Sequence, residues 1–412
     1  MKVIVVGGGA SGMIAAITSA KQGNETILIE KTASLGNKIK ITGKGRCNVT
    51  FDGDIEDFKE NIKHNNKFMY SSYMNFSNKD VVEYFNSQGV ETKLERGGRI
   101  FPVSDKAQDI VDALVNDLKK HNVKIMLNTE LKDLIIKDGI CVGIVTQKEK
   151  ILADKVIIAT GGKSYPSTGS DGKALDILEK NGITITKLLP GLVPLRSEDK
   201  ICKELQGLTL KNVSLKIIDS GKTIYDSFGE MLFAHFGLTG PIVLSSSSIL
   251  NRVEDIDNKL KEHKIKASID LKPALDIDTL DKRVQRDFQK YTNKEFKNAL
   301  DDLLPQKLIP VIIGRSGIDE SKKVHQITKD EREKLVRVIK NLEININGFL
   351  GYDVAIITCG GVDVKQINPK TMETKSIKNL FIAGEALDVD ALTGGFNLQI
   401  AFSTGVAAGN NY

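Results

Sequence analysis

The sequence has no tryptophan, few other aromatic residues and only four cysteines among its 412 residues. None of the cysteines forms a Cys-x-x-Cys pair, which argues against a disulfide framework and against a zinc site. We therefore expect a cytoplasmic protein that holds no metal. There is also no run of about 20 apolar residues, so we expect no transmembrane helix and no membrane partner.

The sequence also lacks a large excess of either positive or negative charge. The 58 basic and 53 acidic residues give a net charge of +5. Such a mild excess permits an anionic partner without requiring one. The length is sufficient for two or three domains, each with a substantial core.

The strongest pattern lies in the first thirty residues. Residues 2–6 are an almost continuous β-branched run, typical of a strand buried on both faces. A Gly-x-Gly-x-x-Gly motif at 7–12 follows, and apolar residues at helical spacing come next. Residues 26–29 then predict a second strand, which ends at Glu30. Strand, helix, strand and acid in this register predict dinucleotide binding, whereas the alternative is a glycine-rich turn without a ligand.

Each residue of this motif has a physical role. Gly7 allows the tight turn, Gly9 lets the backbone approach a pyrophosphate, and Gly12 lets the helix pack closely on the strand. The helix N-terminus favours the phosphates. Glu30 is expected to bind ribose hydroxyl groups.

Two later strands indicate which dinucleotide is bound. Residues 155–158 precede Thr160 and Gly161, and residues 379–382 precede Gly384 and Glu385. These stretches resemble the ATG and GD motifs of glutathione-reductase-like FAD proteins, with Glu385 in place of the commoner aspartate. In that superfamily the acid binds a ribityl hydroxyl group, so FAD is favoured over NAD. Three unrelated buried strands are the alternative.

Further cofactor contacts are expected from three regions. Gly395, Asn397 and Leu398 begin a helix whose free N–H groups would stabilise negative charge on reduced flavin. Arg46 would neutralise phosphate or anionic flavin, and Lys38 is placed in the same cofactor site. No second complete Gly-x-Gly-x-x-Gly occurs, so a separate NAD(P)H domain is not expected.

The pattern along the chain predicts an α/β protein whose Rossmann-type domain is built from both chain ends. Between them we expect short alternating strands and then charged helices over 279–309 and 328–341. The predicted parts are an FAD-binding domain at 1–189 and 353–412, a β-barrel-like insert at 190–272, a helical subdomain at 273–341, and a return strand at 342–352.

Four stretches together resemble one family, the BaiN/YhiN-like flavoproteins, also described as aminoacetone-oxidase-family FAD-binding enzymes. These stretches are GKGRCNVT at 43–50, TGGKSYPSTGS at 160–170, HFGLTGP at 235–241, and AGEALDVD at 383–390 with GGFNLQIAFSTG at 394–405. The resemblance extends over essentially the whole chain. It implies a Rossmann-type FAD domain, a β-barrel-like insert and a small helical subdomain.

The resemblance leaves several activities open. Members have been linked to reduction of uridine to dihydrouridine in ribosomal RNA, to reduction of conjugated bile-acid enones, and to amine oxidation. The first two share a C=C bond conjugated to a carbonyl, which can accept a hydride and then a proton. Our expectation is NAD(P)H-driven reduction of uridine in ribosomal RNA. An enone reductase, for which Leu232, Phe233, Phe236 and Leu238 would provide an apolar cleft, and an FAD-dependent amine oxidase are the alternatives.

Two residues are candidates for the proton donor. Cys47 lies in the loop after Glu30, and His235 lies in the insert. Each has a structural alternative: a small buried hydrophobe for Cys47 and a histidine bonded to backbone for His235. Ser164 and Tyr165 could line the same cleft, whereas Asp388 and Asp390 would rather brace the loop before the C-terminal helix.

Basic residues suggest a path for an RNA backbone, although a solvated surface is the simpler interpretation. They are Lys38, Lys40, Lys44 and Arg46 near the N-terminus, and Lys282, Arg283, Arg286 and Lys290 on an insert helix. A further hypothesis is a protein that is not an enzyme. It would be a flavoprotein that senses redox state or scaffolds RNA without turnover.

Overall fold

The computed structural model describes residues 1–410, which divide into two compact units. The first unit begins at Met1, ends at Gly191, and resumes at Gly351 for the rest of the chain; the second is Leu192–Leu350. Each unit has its own apolar core. Within the described residues, no helix combines the length and apolar character that crossing a membrane requires.

A five-stranded parallel sheet forms the centre of the first unit. Its strands lie in the order Leu380–Ile382, Lys155–Ile158, Lys2–Val6, Glu25–Ile29 and Lys124–Met126. Val3, Ile4 and Val5 are fully buried, as expected for a strand covered on both faces. The predicted Rossmann-type arrangement, with both chain ends in one sheet, is confirmed.

Two long helices pack closely in this unit, Ala10–Lys21 and the C-terminal helix Phe396–Gly409. Glycines permit the close approach. A Cβ on Gly405 would lie 2.5 Å from the carbonyl oxygen of Ser11, and a Cβ on Gly409 would lie 2.5 Å from that of Ala15. Larger residues at these positions would therefore push the two helices apart.

The remaining elements of the first unit surround this centre. Its other α-helices are Asn37–Ile41, Ile55–Asn61, Tyr70–Asn75, Asn78–Ser87, Ala107–Lys120 and Lys173–Lys180. Its other strands are Thr50–Phe51, Ile62–His64, Thr92–Glu95, Arg99–Pro102, Leu131–Lys137, Ile140–Thr146, Lys150–Leu152, Leu189–Gly191, Ile357–Cys359 and Asp390–Ala391.

The second unit is built on a seven-stranded antiparallel sheet. The strand order is Leu342–Asn345, Ile265–Asp270, Thr209–Asp219, Lys222–Ala234, Gly237–Thr239, Leu195–Arg196 and Gly348–Phe349. The first and last of these strands are consecutive pieces of the stretch 342–349. The sheet therefore closes on itself through that stretch, which confirms the predicted β-barrel-like insert.

The helices of the second unit are Lys200–Glu204, Pro241–Leu250, Ile256–Lys261, Ile277–Lys290, Ile309–Ser316 and Lys329–Lys340. The prediction of a helical segment over 279–309 needs correction, because the first helix ends at Lys290 and the next begins at Ile309. Thr292 and Asn293 have weak helix propensity, and Pro305 cannot lie inside a helix.

Candidate cofactor-binding site

A cavity in the first unit lies at the carboxyl ends of the parallel strands. Its lining includes the glycine turn Gly7–Ser11, Glu30, the stretch 159–161 and Glu385, each of which follows one strand of the sheet. Ligands of open α/β sheets bind at this edge. The cavity therefore lies where the sequence predicts the dinucleotide.

The three motif glycines make different contacts. Gly7 has a φ of +107°, and a Cβ there would lie 2.5 Å from the carbonyl oxygen of Ala159. A Cβ on Gly12 would lie 1.8 Å from the carbonyl oxygen of Gly7, so only glycine permits this contact between helix and turn. Around Gly9, by contrast, no described atom lies within 4 Å of a Cβ. Gly9 lines the cavity and leaves it open for a ligand.

Glu30 is held in place at the end of its strand. One carboxylate oxygen accepts a hydrogen bond from the Gly8 N–H at 2.7 Å. The other accepts from the N–H and the hydroxyl group of Thr32, both at 2.8 Å. The carboxylate is thus oriented beside the glycine turn, with acceptor positions left for ribose hydroxyl groups.

Lys38 and Glu385, which are 347 positions apart in sequence, form an ion pair of 2.6 Å at the cavity. The second Glu385 oxygen accepts hydrogen bonds from the Ser164 hydroxyl at 2.8 Å and from the Thr358 N–H at 2.7 Å. Ser164 is fully buried. This network fixes a carboxylate and an ammonium group where the ribityl chain and flavin are predicted.

Both long helices begin at the cavity without a side-chain cap. Gly9 and Gly395 are the residues at their N-caps, and neither can supply a side-chain hydrogen bond. Ser11, Asn397 and Leu398, from the first turns, line the cavity. Because unpaired N–H groups at a helix N-terminus carry partial positive charge, both ends favour an anionic ligand.

Three hydroxyl oxygens of the cavity lining are buried without a hydrogen-bond partner among residues 1–410. They belong to Ser11, Thr160 and Ser170. Buried polar atoms in folded proteins nearly always have a partner. The lining is therefore complementary to a ligand with hydrogen-bonding groups along its length.

These features fit FAD. Gly9 and the start of the helix Ala10–Lys21 would hold the pyrophosphate, and Glu30 would hold the adenosine ribose. Glu385 would hold the ribityl chain, while the C-terminal helix presents its N-terminus to the flavin. Bound flavin supplies hydride-transfer chemistry.

Three predicted residues act mainly through the backbone. The Asn397 side chain is engaged by the neighbouring loop, with its oxygen 3.0 Å from the Ala391 N–H and its amide nitrogen 2.9 Å from the Ala391 carbonyl. Gly384 lies outside the cavity lining, and its N–H donates to the Thr404 hydroxyl at 2.9 Å. A Cβ on Gly395 would lie 2.3 Å from the Thr50 carbonyl oxygen. These contacts fix the backbone at the start of the C-terminal helix and beside Glu385, and the predicted cofactor contacts of the three residues stay a prediction.

The prediction for Arg46 needs correction. Its guanidinium group pairs with Glu95 and Asp105 and lies 4.2 Å above the centre of the Phe101 ring. Arg46 is outside the cavity lining. Two carboxylates neutralise its charge, so it is not the cation that would face phosphate or flavin.

Cys47 also lies outside the cavity lining. Its side chain is fully buried in the core, and its backbone adopts a left-handed conformation with a φ of +61°. Burial raises the pKa of the thiol to about 12. This placement favours the structural alternative over the predicted proton donor.

His235 belongs to the second unit. It is exposed at the turn between the strands Lys222–Ala234 and Gly237–Thr239, with its ring edge-on to Phe236. This position leaves the imidazole accessible to solvent. Its catalytic role stays a prediction.

Two of the four cations on the predicted basic helix of the second unit are neutralised. Arg283 pairs with both oxygens of Asp287 at 2.9 Å, and Lys290 pairs with Asp302 at 2.7 Å. Lys282 and Arg286 are exposed and have no carboxylate partner among the described residues. Half of this predicted RNA surface is thus already paired.

Sequence reasoning did not assign several residues that line the cavity, among them Ser11, Thr358 and Ser170. Besides its N–H contact to Glu385, Thr358 accepts hydrogen bonds from the N–H groups of Lys163 and Ser164 through its hydroxyl group. The sequence signal for Thr358 is a polar residue within the otherwise apolar run 355–359. That run is followed directly by two glycines. Ser170 carries no comparable local signal.

Comparison with known proteins extends over the whole chain. The family model described as HI0933-like protein Rossmann domain matches residues 1–411. The chain is 29% identical to the 3-dehydro-bile acid delta(4,6)-reductase of Clostridium scindens, over 99% of this chain and 98% of that protein. It is 29% identical to the ribosomal RNA dihydrouridine synthase of Escherichia coli, over 97% and 95% of the two chains. The corresponding synthase of Haemophilus influenzae is 30% identical, over 98% and 96%.

The solved structures include a 3-ketosteroid delta1-dehydrogenase from Sterolibacterium denitrificans, in complex with 1,4-androstadiene-3,17-dione. Its TM-score against this chain is 0.51, with 12% identity and coverage of 99% of this chain and 98% of that one. At this level of identity the likeness concerns the fold alone. It agrees with the Rossmann-type arrangement of the first unit.

Proposed function

Because this chain belongs to the HI0933-like family of Rossmann-domain proteins, we propose that it is an FAD-dependent oxidoreductase that reduces a carbonyl-conjugated C=C bond with NAD(P)H. The cavity supports the cofactor, since it combines an open glycine turn, two uncapped helix N-termini and three hydroxyl groups without partners. The reaction class is supported by whole-length similarity to relatives named as a reductase and as dihydrouridine synthases.

Within this class, our proposal for the substrate is uridine in ribosomal RNA. The observation that carries it is the alignment of this chain, over nearly its full length, with two ribosomal RNA dihydrouridine synthases. The reaction balances as uridine, NAD(P)H and a proton giving dihydrouridine and NAD(P)⁺. The hydride adds to the carbon β to the carbonyl and the proton to the α carbon.

In this proposal, separate groups of residues bind the cofactor, hold a cation at the flavin end and concern the proton. The glycine turn and the two helix N-termini bind and orient the anionic parts of the cofactor. The Lys38–Glu385 pair, fixed by Ser164 and Thr358, keeps a cation at the predicted flavin end. Cys47 is buried, so the proton is not assigned to it, and the role predicted for His235, which is exposed in the second unit, stays a prediction.

A conjugated steroid-like dienone is the second candidate substrate, supported by the alignment with the bile-acid reductase over almost the full length of both chains. The apolar cleft predicted for it needs correction, because Phe233 and Leu238 are fully buried in the core of the second unit. Leu232 and Phe236 are only partly buried and remain available.

Deletion of the gene and mass spectrometry of ribosomal RNA nucleosides test the RNA proposal. We expect one dihydrouridine to disappear and to return with the wild-type gene, but not with Gly9→Val, which blocks the cofactor cavity. An unchanged dihydrouridine content would contradict the proposal. Conversion of a dienone by the purified protein would then favour the second candidate, and rapid peroxide formation from an amine would favour an oxidase.

A further inference from the structure

A surface of the first unit outside the cofactor cavity carries cations that the site does not use. It consists of the loop 42–46, the hairpin Thr92–Pro102 and the turn that follows to residue 106; we call it the hairpin surface. The loop lies against the hairpin, because the Arg46 guanidinium covers the Phe101 ring and pairs with Glu95. The next residues continue this contact, since the Val49 N–H donates to the Ile100 carbonyl at 2.8 Å.

The charges of this surface are unbalanced. It holds two carboxylates, Glu95 and Asp105, and both are shared by the same two cations, Arg46 and Lys93. Two further exposed carboxylates, Asp52 and Glu91, adjoin the hairpin, so its six cations still outnumber the four acids. Four further cations are exposed and have no carboxylate partner within residues 1–410. They are Lys44, Arg96, Arg99 and Lys106.

The hairpin holds two of these four cations, Arg96 and Arg99, on an ordered backbone. Arg96 lies in the tight turn whose Gly97 and Gly98 have φ values of +80° and +67°. Arg99 begins the return strand, which is paired on both sides, with Thr92–Glu95 and with Thr50–Phe51. Because the strand is held from both sides, the backbone of Arg99 is fixed by the sheet, and the tight turn holds Arg96 close to it.

The hairpin surface also begins at the wall of the cofactor cavity. Lys38 and Thr42 line the cavity, and Lys44 follows only two residues later. The carbonyl oxygen of Thr42 accepts a hydrogen bond from the Cys47 N–H at 3.0 Å, which closes the loop into a compact turn. Among the four unpaired cations, Lys44 is therefore the one that a compact turn joins to the cavity wall.

We infer that the hairpin surface binds the phosphate backbone of the RNA substrate. This inference rests on the proposed RNA substrate and assigns its contact to the first unit. Exposed cations without carboxylate partners, one of them joined to the cavity wall by a compact turn, are what a phosphate backbone needs. The helix Ile277–Lys290 is less suitable, because two of its four cations are already paired with aspartates.

Charge reversal tests the inference, with a control that changes the net charge equally. Arg96→Glu/Arg99→Glu alters the hairpin surface, and Lys282→Glu/Arg286→Glu alters two exposed, unpaired cations of the second unit. Affinity for a fluorescent single-stranded oligouridylate is measured as a function of salt. FAD absorbance and NAD(P)H-driven flavin reduction check that each variant folds and binds its cofactor.

On a plot of log binding constant against log salt concentration, loss of two phosphate contacts should make the slope less negative by about 1.4. Each contact to a single strand contributes roughly 0.7. Over a fourfold rise in salt, wild type should lose about sevenfold more affinity than the hairpin variant. The control variant should keep the wild-type slope, and dihydrouridine formation on a ribosomal RNA transcript should fall only in the hairpin variant.

The remaining outcomes separate the two proposals. Equal slopes for wild type and the hairpin variant, with RNA still bound and reduced, would overturn the hairpin surface and leave the RNA substrate standing. An equal effect of the control variant would also overturn it, because bulk charge would then explain the binding. Wild type that neither binds nor reduces RNA, while reducing a dienone, would overturn the RNA substrate itself.

Discussion

Gly9→Val is the substitution that should separate cofactor binding from folding. Gly9 has φ −84° and ψ −171°, an extended conformation that valine adopts readily. No described atom lies within 4 Å of a Cβ at this position, so the backbone need not move. The new side chain would instead enter the cavity where the sequence motif predicts the pyrophosphate.

The expected magnitude follows from linkage between binding and folding. FAD present at a hundredfold excess over its dissociation constant stabilises a protein by about 2.7 kcal/mol. For a unit of this size, about 2–4 °C of melting temperature corresponds to each kcal/mol, so FAD should raise it by roughly 5–10 °C. Gly9→Val should lose this increase, while its apoprotein melts close to the wild-type temperature, because the restriction of the unfolded chain opposes the small cost of valine at a helix N-cap.

Thermal unfolding of apoprotein with and without added FAD measures this directly. Gly12→Ala is the matched comparison, because its Cβ would lie 1.8 Å from the Gly7 carbonyl oxygen and should lower the melting temperature of the apoprotein itself. A normal FAD-induced increase in Gly9→Val would refute the assignment of the cavity. An apoprotein of Gly9→Val as unstable as Gly12→Ala would refute the description of Gly9 as open.

Two further substitutions test the description of the site. Cys47→Ala should lower the free energy of unfolding by about 1 kcal/mol in urea titrations and leave turnover intact, since it removes a buried apolar group; a loss of about 10²–10⁴ in turnover would restore Cys47 as the proton donor. Because burial raises the Cys47 pKa from 9.0 to about 12, the native state keeps a proton that the unfolded state releases, so wild type should lose stability relative to Cys47→Ala as pH rises above 9.0. Glu385→Gln should lower the free energy of unfolding by about 1–3 kcal/mol, because Lys38 loses its charged partner; unchanged stability and FAD affinity would show that the pair is unimportant.

Local sequence patterns were sufficient for the parts of the fold that depend on neighbouring residues. The run 2–6, the three glycines and Glu30 lie within thirty residues, and each follows from strand burial, turn geometry or helix packing. The first unit boundary in the structure, at Gly191, lies in a stretch that contains Pro190 and Pro194.

Contacts between distant segments explain what the sequence left undetermined. Arg46 looked like a free cation because its partners, Glu95 and Asp105, lie 49 and 59 positions away. Lys38 and Glu385 were both predicted at the cofactor, but their mutual ion pair depends on the folded sheet. The position of Cys47 in the loop after Glu30 makes it a candidate proton donor, whereas its burial in the core is a property of the packed structure.

Anaerobic turnover by the purified protein tests the central claim most directly. The FAD-loaded protein is mixed with NADH or NADPH and with one of two substrates, an unmodified ribosomal RNA transcript or a conjugated dienone. The masses of the products are then measured by mass spectrometry. The account predicts a product that has gained two hydrogen atoms across the conjugated C=C bond, with one NAD(P)H consumed for each. Flavin that is reduced by NAD(P)H but transfers hydrogen to neither substrate, or protein that binds no FAD, would contradict it.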